Sequence, residues 1–387
     1  MSIPVEQPLN NRYSIINIQV CESRHYLNSQ YYITITPQSK ILDKNIFQLD
    51  VLRGLAVLLV MCFHFFKNFS FGWVGVDLFF VLSGFLITGK LVEAVGSPRY
   101  FSTFYIKRVL RIVPLYYLVL IFFFILLPVF AASSLSGSMH QLLDHQAYYW
   151  TFSVNFIEAR NGWPANITLI HFWSLACEMQ FYLLWPFVIL WINSSSKRRI
   201  LLWIFIILAI LFRVFAADYL SLHLVSKYVL LCSRIDAFAI GGLAYFYLSS
   251  TPTPGKKIPA LLSITSFSLI ILLCIFFNLN WHYTNQPVQW IGYTLNAICW
   301  GGFLVHYCIT RAKPFFISKL LAVIGKYSYA MYVFHLPIWI FLEKFLPGTP
   351  WLSLAAFMIT FLLAYLSYHL YEKYFLRMKP VLQHAQG

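Results

Sequence analysis

"LDVLRGLAVLLVMCFHFF", positions 49–66, is the stretch on which the reading of the whole chain turns. The segment is apolar enough for lipid, yet Arg53 interrupts it near one end and His64 near the other. A charged side chain at the centre of a span costs on the order of 3 kcal/mol unless it faces a polar interior. Positions 53 and 64 are 11 residues apart, which at 100° per residue returns to nearly the same helix face. At about 1.5 Å per residue the two groups stand roughly 16 Å apart along one stripe. Two readings stay open on these residues alone. Arg53 snorkels to headgroups while His64 bonds a neighbouring helix, or both open onto a shared wet passage.

The rest of the chain has the same character. Of 387 residues, 60% are hydrophobic and only 11% charged. Mean hydropathy is +0.69. Soluble domains carry about 25% charged residues, so the composition predicts an integral membrane protein. A net charge of +15 raises the question of nucleic acid, but the positive-inside bias of a multi-pass protein accounts for it, and no nucleic-acid partner is expected. No cleavable signal peptide is evident in the polar, mixed opening. The seven cysteines form no C-x-x-C pair and most lie in apolar runs, so neither a disulfide nor a metal site is expected.

A crossing helix needs roughly 20 apolar residues. That rule predicts an all-α, polytopic bundle of about ten transmembrane helices, at 47–67, 73–93, 112–131, 172–192, 200–217, 229–249, 258–278, 289–310, 320–344 and 351–371. Lysine and arginine favour one set of loops: Arg99, Lys107, Arg108 and Arg111, then Lys197, Arg198 and Arg199, and on to Lys373, Arg377 and Lys379. The opposite loops hold little beyond Lys67, Arg160, Lys227 and Lys344, so both termini are expected in the cytoplasm. The expected organisation is a polar extension at 1–45, a membrane domain at 46–375 and a cytoplasmic tail at 376–387. No soluble domain is expected beyond these.

Polar residues recur inside the spans. "GWVGVDLFFVLSGFLIT" (72–88) puts Asp77 in the outer half of the second span, with Gly75, Ser83 and Gly84 permitting close helix approach. "HFWSLACEMQFYLLWP" (171–186) places His171, Ser174, Glu178 and Tyr182 at i, i+3, i+7 and i+11, on one face. Such a stripe argues for a water-filled cavity. Either Glu178 or Asp77 could orient His64 and stabilise its imidazolium, and a plain ion pair is the structural alternative. "FYIKRVLRIVP" (104–114) sets Arg108 and Arg111 at i and i+3, a pair able to grip a phosphate or simply to anchor a span's start. "SRIDAFAIGG" (233–242) adds Arg234 and Asp236, and "GKYSYAMYVFHLP" (325–337) adds His335, a residue type more often structural than catalytic when alone.

Taken in order, these motifs, closed by "YEK" at 371–373, resemble acyltransferase family 3, membrane proteins that modify envelope carbohydrates. The resemblance runs from about residue 46 to 375. It implies transfer of an acyl group, commonly acetyl, from acyl-CoA as donor substrate to a sugar hydroxyl, in a bacterial cytoplasmic membrane. It implies that Arg53 and His64 are the functional pair and that Arg108 and Arg111 handle the donor. Glu178 and Asp77 are expected beside them, with His171, Ser174, Tyr182, Arg234, Asp236 and His335 on the substrate. The polar opening is longer than such proteins usually have, and the hydrolase-like domain fused to some relatives is not in this sequence, so no relay through it is expected. A transporter or glycan flippase is the alternative from another class, and would be expected to show repeated halves, which are not visible here. A membrane acyltransferase acting on lipids or secreted proteins would share the histidine logic without the ordered motifs.

Overall fold

The computed structural model describes residues 45–378, apart from 67, 132–136, 193, 251–253 and 278–280. The extension predicted at 1–45 falls almost wholly outside these residues, as does most of the predicted tail. The described residues are helical throughout, with no strand among them. The long helices are α1 (Ile46–Phe65), α2 (Val74–Ala94) and α3 (Tyr100–Ile121), then α7 (Phe172–Trp191) and α8 (Ser195–Leu211). They continue with α10 (Leu231–Ser250), α11 (Lys257–Phe276), α12 (Tyr293–Thr310), α13 (Phe316–Phe345) and α14 (Leu352–Ser367). Short helices α4 (Gly137–Asp144), α5 (Gln146–Trp150) and α6 (Val154–Asn161) fill the connection before α7, and α9 (Ser226–Val229) precedes α10.

Among the described residues, seven helices are long and apolar enough to cross a bilayer: α1, α2, α3 with its continuation, α7, α9 with α10, α11, and α14 with its continuation. The other three predicted spans correspond to helices that are shorter or more polar. Helix α8 has 17 residues before it passes into a π turn, and α12 and α13 carry Asn296, His306, Lys319, Lys326 and His335. Helix α11 shows why the molecule belongs in lipid: Ile258, Leu261, Leu262, Ile264, Phe267 and Leu272 all face outward.

The central helices approach through glycine. A Cβ on Gly54 of α1 would meet the Leu321 carbonyl of α13, and one on Gly325 would meet the Asp50 carbonyl. Gly84 of α2 likewise faces the Phe238 carbonyl of α10, and Gly75 faces the Ala56 carbonyl of α1. With no hydrophobic drive between helices in lipid, this backbone proximity carries the packing. It sets α13 along α1 beside Arg53 and α10 along α2 beside Asp77.

One boundary differs from the sequence expectation in a way that matters. The third helix begins at Tyr100, not near 112, so Arg108 and Arg111 lie within it. The arginines were read as the flank of a span because they are charged. They are accommodated inside the helix because they face a polar cavity. Pro114 lies in the same helix, where its ring removes one backbone donor, and Tyr329 of α13 donates to the nearby Ile112 carbonyl at 2.6 Å. Tyr100 and Tyr105 donate to the Pro186 and Leu183 carbonyls of α7 at 3.0 and 2.9 Å, fixing α3 against α7.

Candidate active site

A cavity of about 800 Å³ lies between α1, α2, α3, α7 and α13. Arg53, Arg108 and Arg111 line it together with Ser83, Ser174, Glu178, Tyr182 and Tyr332. The i, i+3 spacing of the α3 arginines and the i, i+4 spacing of Glu178 and Tyr182 turn these side chains inward on facing helices. Glu178 accepts hydrogen bonds from Ser83 and from Tyr182. The Arg108 guanidinium stands 5.7 Å from the Tyr182 ring centroid and 6.0 Å from that of Phe104, within cation–π range of both. Its buried Nε has no hydrogen-bond partner. Arg53 donates to Asp50 at 2.6 Å. A second cavity, of about 590 Å³, adjoins the first toward the N-terminal end of α1 and shares Arg53, Arg111 and Tyr329 with it. Asp50, Lys326 and Glu372 line this outer part. Three guanidiniums lining one cavity suit a polyanion, and the unpaired Arg108 donor leaves capacity for it.

His64 lines neither cavity. Its ring packs against His335 at 4.9 Å between centroids, and His335 packs against His171 at 4.7 Å. The hydrogen bonds fix the tautomers of this trio, because a carbonyl oxygen only accepts. His335 Nδ1 lies 2.6 Å from the Tyr332 carbonyl and so carries its hydrogen there. Neutral His335 then presents a lone pair on Nε2, which lies 3.2 Å from His64 Nδ1. His64 Nδ1 also faces the Val60 carbonyl at 3.0 Å. Both partners accept, so His64 holds its hydrogen on Nδ1 and keeps the lone pair on Nε2. His171 donates from Nε2 to the Val333 carbonyl at 3.2 Å. His171 and His335 are fully buried, and His64 is only partly so. Two members of the trio thus keep a free basic nitrogen, His64 at Nε2 and His171 at Nδ1, and of the two His171 Nδ1 is buried, so His64 is the accessible one.

Several expectations are corrected by these contacts. The partner that orients His64 is His335, not Glu178 or Asp77. Glu178 belongs to the arginine cavity. Asp77 pairs with Arg234 and accepts from Asn296 Nδ2 at 3.2 Å. Asp236 accepts from Arg213 at 2.9 Å and from Thr294 at 2.6 Å. Asp77, Arg234, Asp236 and Arg213 are completely buried and line neither cavity, so the two pairs are internal ion pairs of α2, α10 and the π turn after α8. The expected open passage from Arg53 to His64 is also replaced by something else. The cavity ends at Ser174 and Tyr332, whose hydroxyls bond one another, and the Tyr332–His335 layer stands between it and His64.

Breaking a buried pair leaves the other charge uncompensated, a loss of about 3–5 kcal/mol. Asp77→Ala is therefore expected to lower the melting temperature of the detergent-purified protein sharply, and Asp77→Leu combined with Arg234→Met to recover much of it. An Asp77→Ala protein that melts like the wild type but has lost all turnover would instead make Asp77 a reacting group.

Arg213, Tyr332 and Ser83 were not singled out as site or pairing residues in the sequence. Arg213 carried a readable signal, a lone cation in an apolar run. The roles of Tyr332 and Ser83 depend on pairing with α7, which no local spacing announces.

A family model described as an acyltransferase domain matches residues 46–369. The chain is 28% identical over 343 residues to the peptidoglycan O-acetyltransferase OatA of Listeria monocytogenes, covering 84% of this chain and 54% of that protein. It is 29% identical over 347 residues to YrhL of Bacillus subtilis, provisionally named for the same activity, with the same coverage. A provisionally named O-acetyltransferase of Staphylococcus aureus is 27% identical over 319 residues, 77% of this chain and 51% of that one. The chain thus spans about half the length of the curated relatives it matches. No solved structure matches it.

Proposed function

Because the chain belongs to acyltransferase family 3, we propose that it is a membrane O-acetyltransferase that takes acetyl from acetyl-CoA and places it on a hydroxyl of a cell-envelope glycan. The acceptor class follows the relatives named for peptidoglycan, and the site in the cell is a bacterial cytoplasmic membrane. The observation that carries this reading is the pairing of two unlike sites along α1. One is an arginine-lined cavity shaped for a polyanion, and the other a histidine with its lone pair on the accessible nitrogen.

The donor enters from the end where Lys326, Arg53 and Arg111 line the outer cavity, the end that the charge bias assigns to the cytoplasm. Its phosphates lie against Arg53, Arg108 and Arg111, and the Tyr182 ring beside Arg108 is itself fixed by its bond to Glu178, which also accepts from Ser83. The thioester arm points toward Ser174 and Tyr332, and the contact between those hydroxyls opens to admit it. On the far side, His64 Nε2 takes the proton of a sugar hydroxyl as its oxygen attacks the thioester carbonyl. The carbon–sulfur bond then breaks, and the departing thiolate receives the proton from the imidazolium. His335 keeps His64 in the productive tautomer throughout, and His171 fixes the place of His335.

The test is direct. Full chain in nanodiscs is given acetyl-labelled acetyl-CoA and a solubilised envelope glycan. Label on the glycan, with one free thiol released per acetyl, is the expected result. Label that stays on the thioester while the glycan is bound or moved would overturn the assignment.

A further inference from the structure

The lobe formed by α4, α5 and α6 buries one acid without satisfying it. Glu158, on α6, is 2% exposed, and neither of its carboxylate oxygens has a hydrogen-bond partner. Burial pushes its carboxyl well above the usual carboxylate range, so it stands as a neutral acid able to donate and accept. A buried polar group left in this way is destabilising unless a ligand pairs it. The helix that carries it is held in place. The Asn155 and Gln180 amides bond reciprocally at 3.1 and 2.9 Å, and Asn155 also donates to the Val229 carbonyl at 3.3 Å. Gly162 ends α6 with a φ of +81° and sits against the His223 ring, a conformation and a space that suit glycine.

Glu158 lines a concavity with Gln141, His145, Tyr149 and Trp163. The Trp163 indole is half-buried at its edge, with Nε1 donating to the Tyr283 hydroxyl at 3.0 Å. The Tyr283 ring packs 6.3 Å from Phe63, whose ring is 5.0 Å from His64. The concavity is thus connected to the His64 end of α1 through one hydrogen bond and two ring contacts, and it shares no lining residue with the arginine cavity.

We propose that this concavity is a carbohydrate subsite, holding a sugar unit of the acceptor glycan other than the one acylated at His64. An indole beside a buried carboxyl, an amide and an imidazole offers a pyranose ring an apolar contact and its hydroxyls their partners. A site built around such a buried carboxyl discriminates strongly against a ligand that leaves it unpaired. The assignment rests on the acyl-transfer reading, and its test separates the two.

Full-length wild type, Glu158→Ala and Gln141→Trp are assayed with acetyl-CoA on N-acetylglucosamine and on its β-1,4 tetrasaccharide, and tetrasaccharide binding is read independently by saturation-transfer NMR. Gln141 is exposed, so a tryptophan there fills the concavity from its rim and leaves the buried acid in place. The tetrasaccharide's advantage in kcat/KM over the monosaccharide is expected to shrink about tenfold or more in both variants, with its NMR signal weakened in parallel. Transfer in the wild type with the same tetrasaccharide advantage and binding in both variants would overturn the subsite and leave the acyl-transfer reading intact. Tetrasaccharide binding that is lost in both variants, in a protein that transfers acetyl neither to these sugars nor to solubilised envelope glycan, would uphold the subsite and overturn acyl transfer.

Discussion

His64→Ala is expected to lower glycan acetylation by about 10²–10⁴-fold, the range that a positioned general base contributes. The expectation comes from the tautomer. Both neighbours of Nδ1 accept hydrogen bonds, so the lone pair is on Nε2 and nothing else in the trio presents one to the accessible side. A sugar hydroxyl is a poor nucleophile near neutrality, and losing the group that takes its proton removes a contribution made in the transition state. The loss therefore falls on kcat, while the variant still binds acetyl-CoA as tightly as the wild type. The comparison needs protein amounts matched by fluorescence-detected chromatography and acetyl measured on the glycan by mass spectrometry. Full acetylation by His64→Ala at wild-type protein levels would show that another group, or no group, takes the proton.

Removing the α3 arginines is expected to act on the proposed donor instead. Charge-assisted hydrogen bonds contribute about 1.5–3 kcal/mol each, so Arg108→Ala is expected to raise the KM for acetyl-CoA roughly 10–100-fold, and Arg108→Ala with Arg111→Ala further. Arg108 is the more informative of the two. Its guanidinium lies beside the edge-to-face pair of Phe104 and Tyr182, within cation–π range of both, and its unpaired Nε points to a partner that the protein itself does not supply. Arg108→Lys keeps the charge but loses the planar fork, and is expected to recover only part of the affinity. Isothermal titration with coenzyme A separates binding from turnover. Unchanged affinity in the double alanine variant would remove the donor from this cavity.

The positions of the helices were largely readable because length and apolarity set them: the predicted 172–192 and 258–278 lie within two residues of α7 and α11 at each end. The start of α3 was not, because Arg108 and Arg111 look the same in sequence whether they mark a flank or face a cavity within the span. The site was legible in part for the same reason. Spacing along one helix groups Ser174, Glu178 and Tyr182, or Arg108 and Arg111, but says nothing about which helix they face. Asp77 and Glu178 looked equally suited to His64 in sequence. The packing of α10 along α2 gave Asp77 to Arg234 instead, and the packing of α13 along α1 brought His335 to His64 from 271 residues away. Pairing of that kind is decided by glycine contacts such as Gly84 with Phe238 and Gly54 with Leu321, which no periodicity reveals. Glu158 lay in a connection with no span to make a carboxylate conspicuous, and only its burial without a partner marks it.

On the acyl-transfer reading donor and acceptor approach His64 from opposite ends of α1. Sealed proteoliposomes of known orientation measure it, with labelled acetyl-CoA confined to one face and glycan to the other. Acetylated glycan is expected only when acetyl-CoA is on the side of Arg53 and Lys326 and glycan on the side of Trp163. Acetylation that requires both substrates on one face, or that proceeds equally well with the two exchanged, would contradict the account.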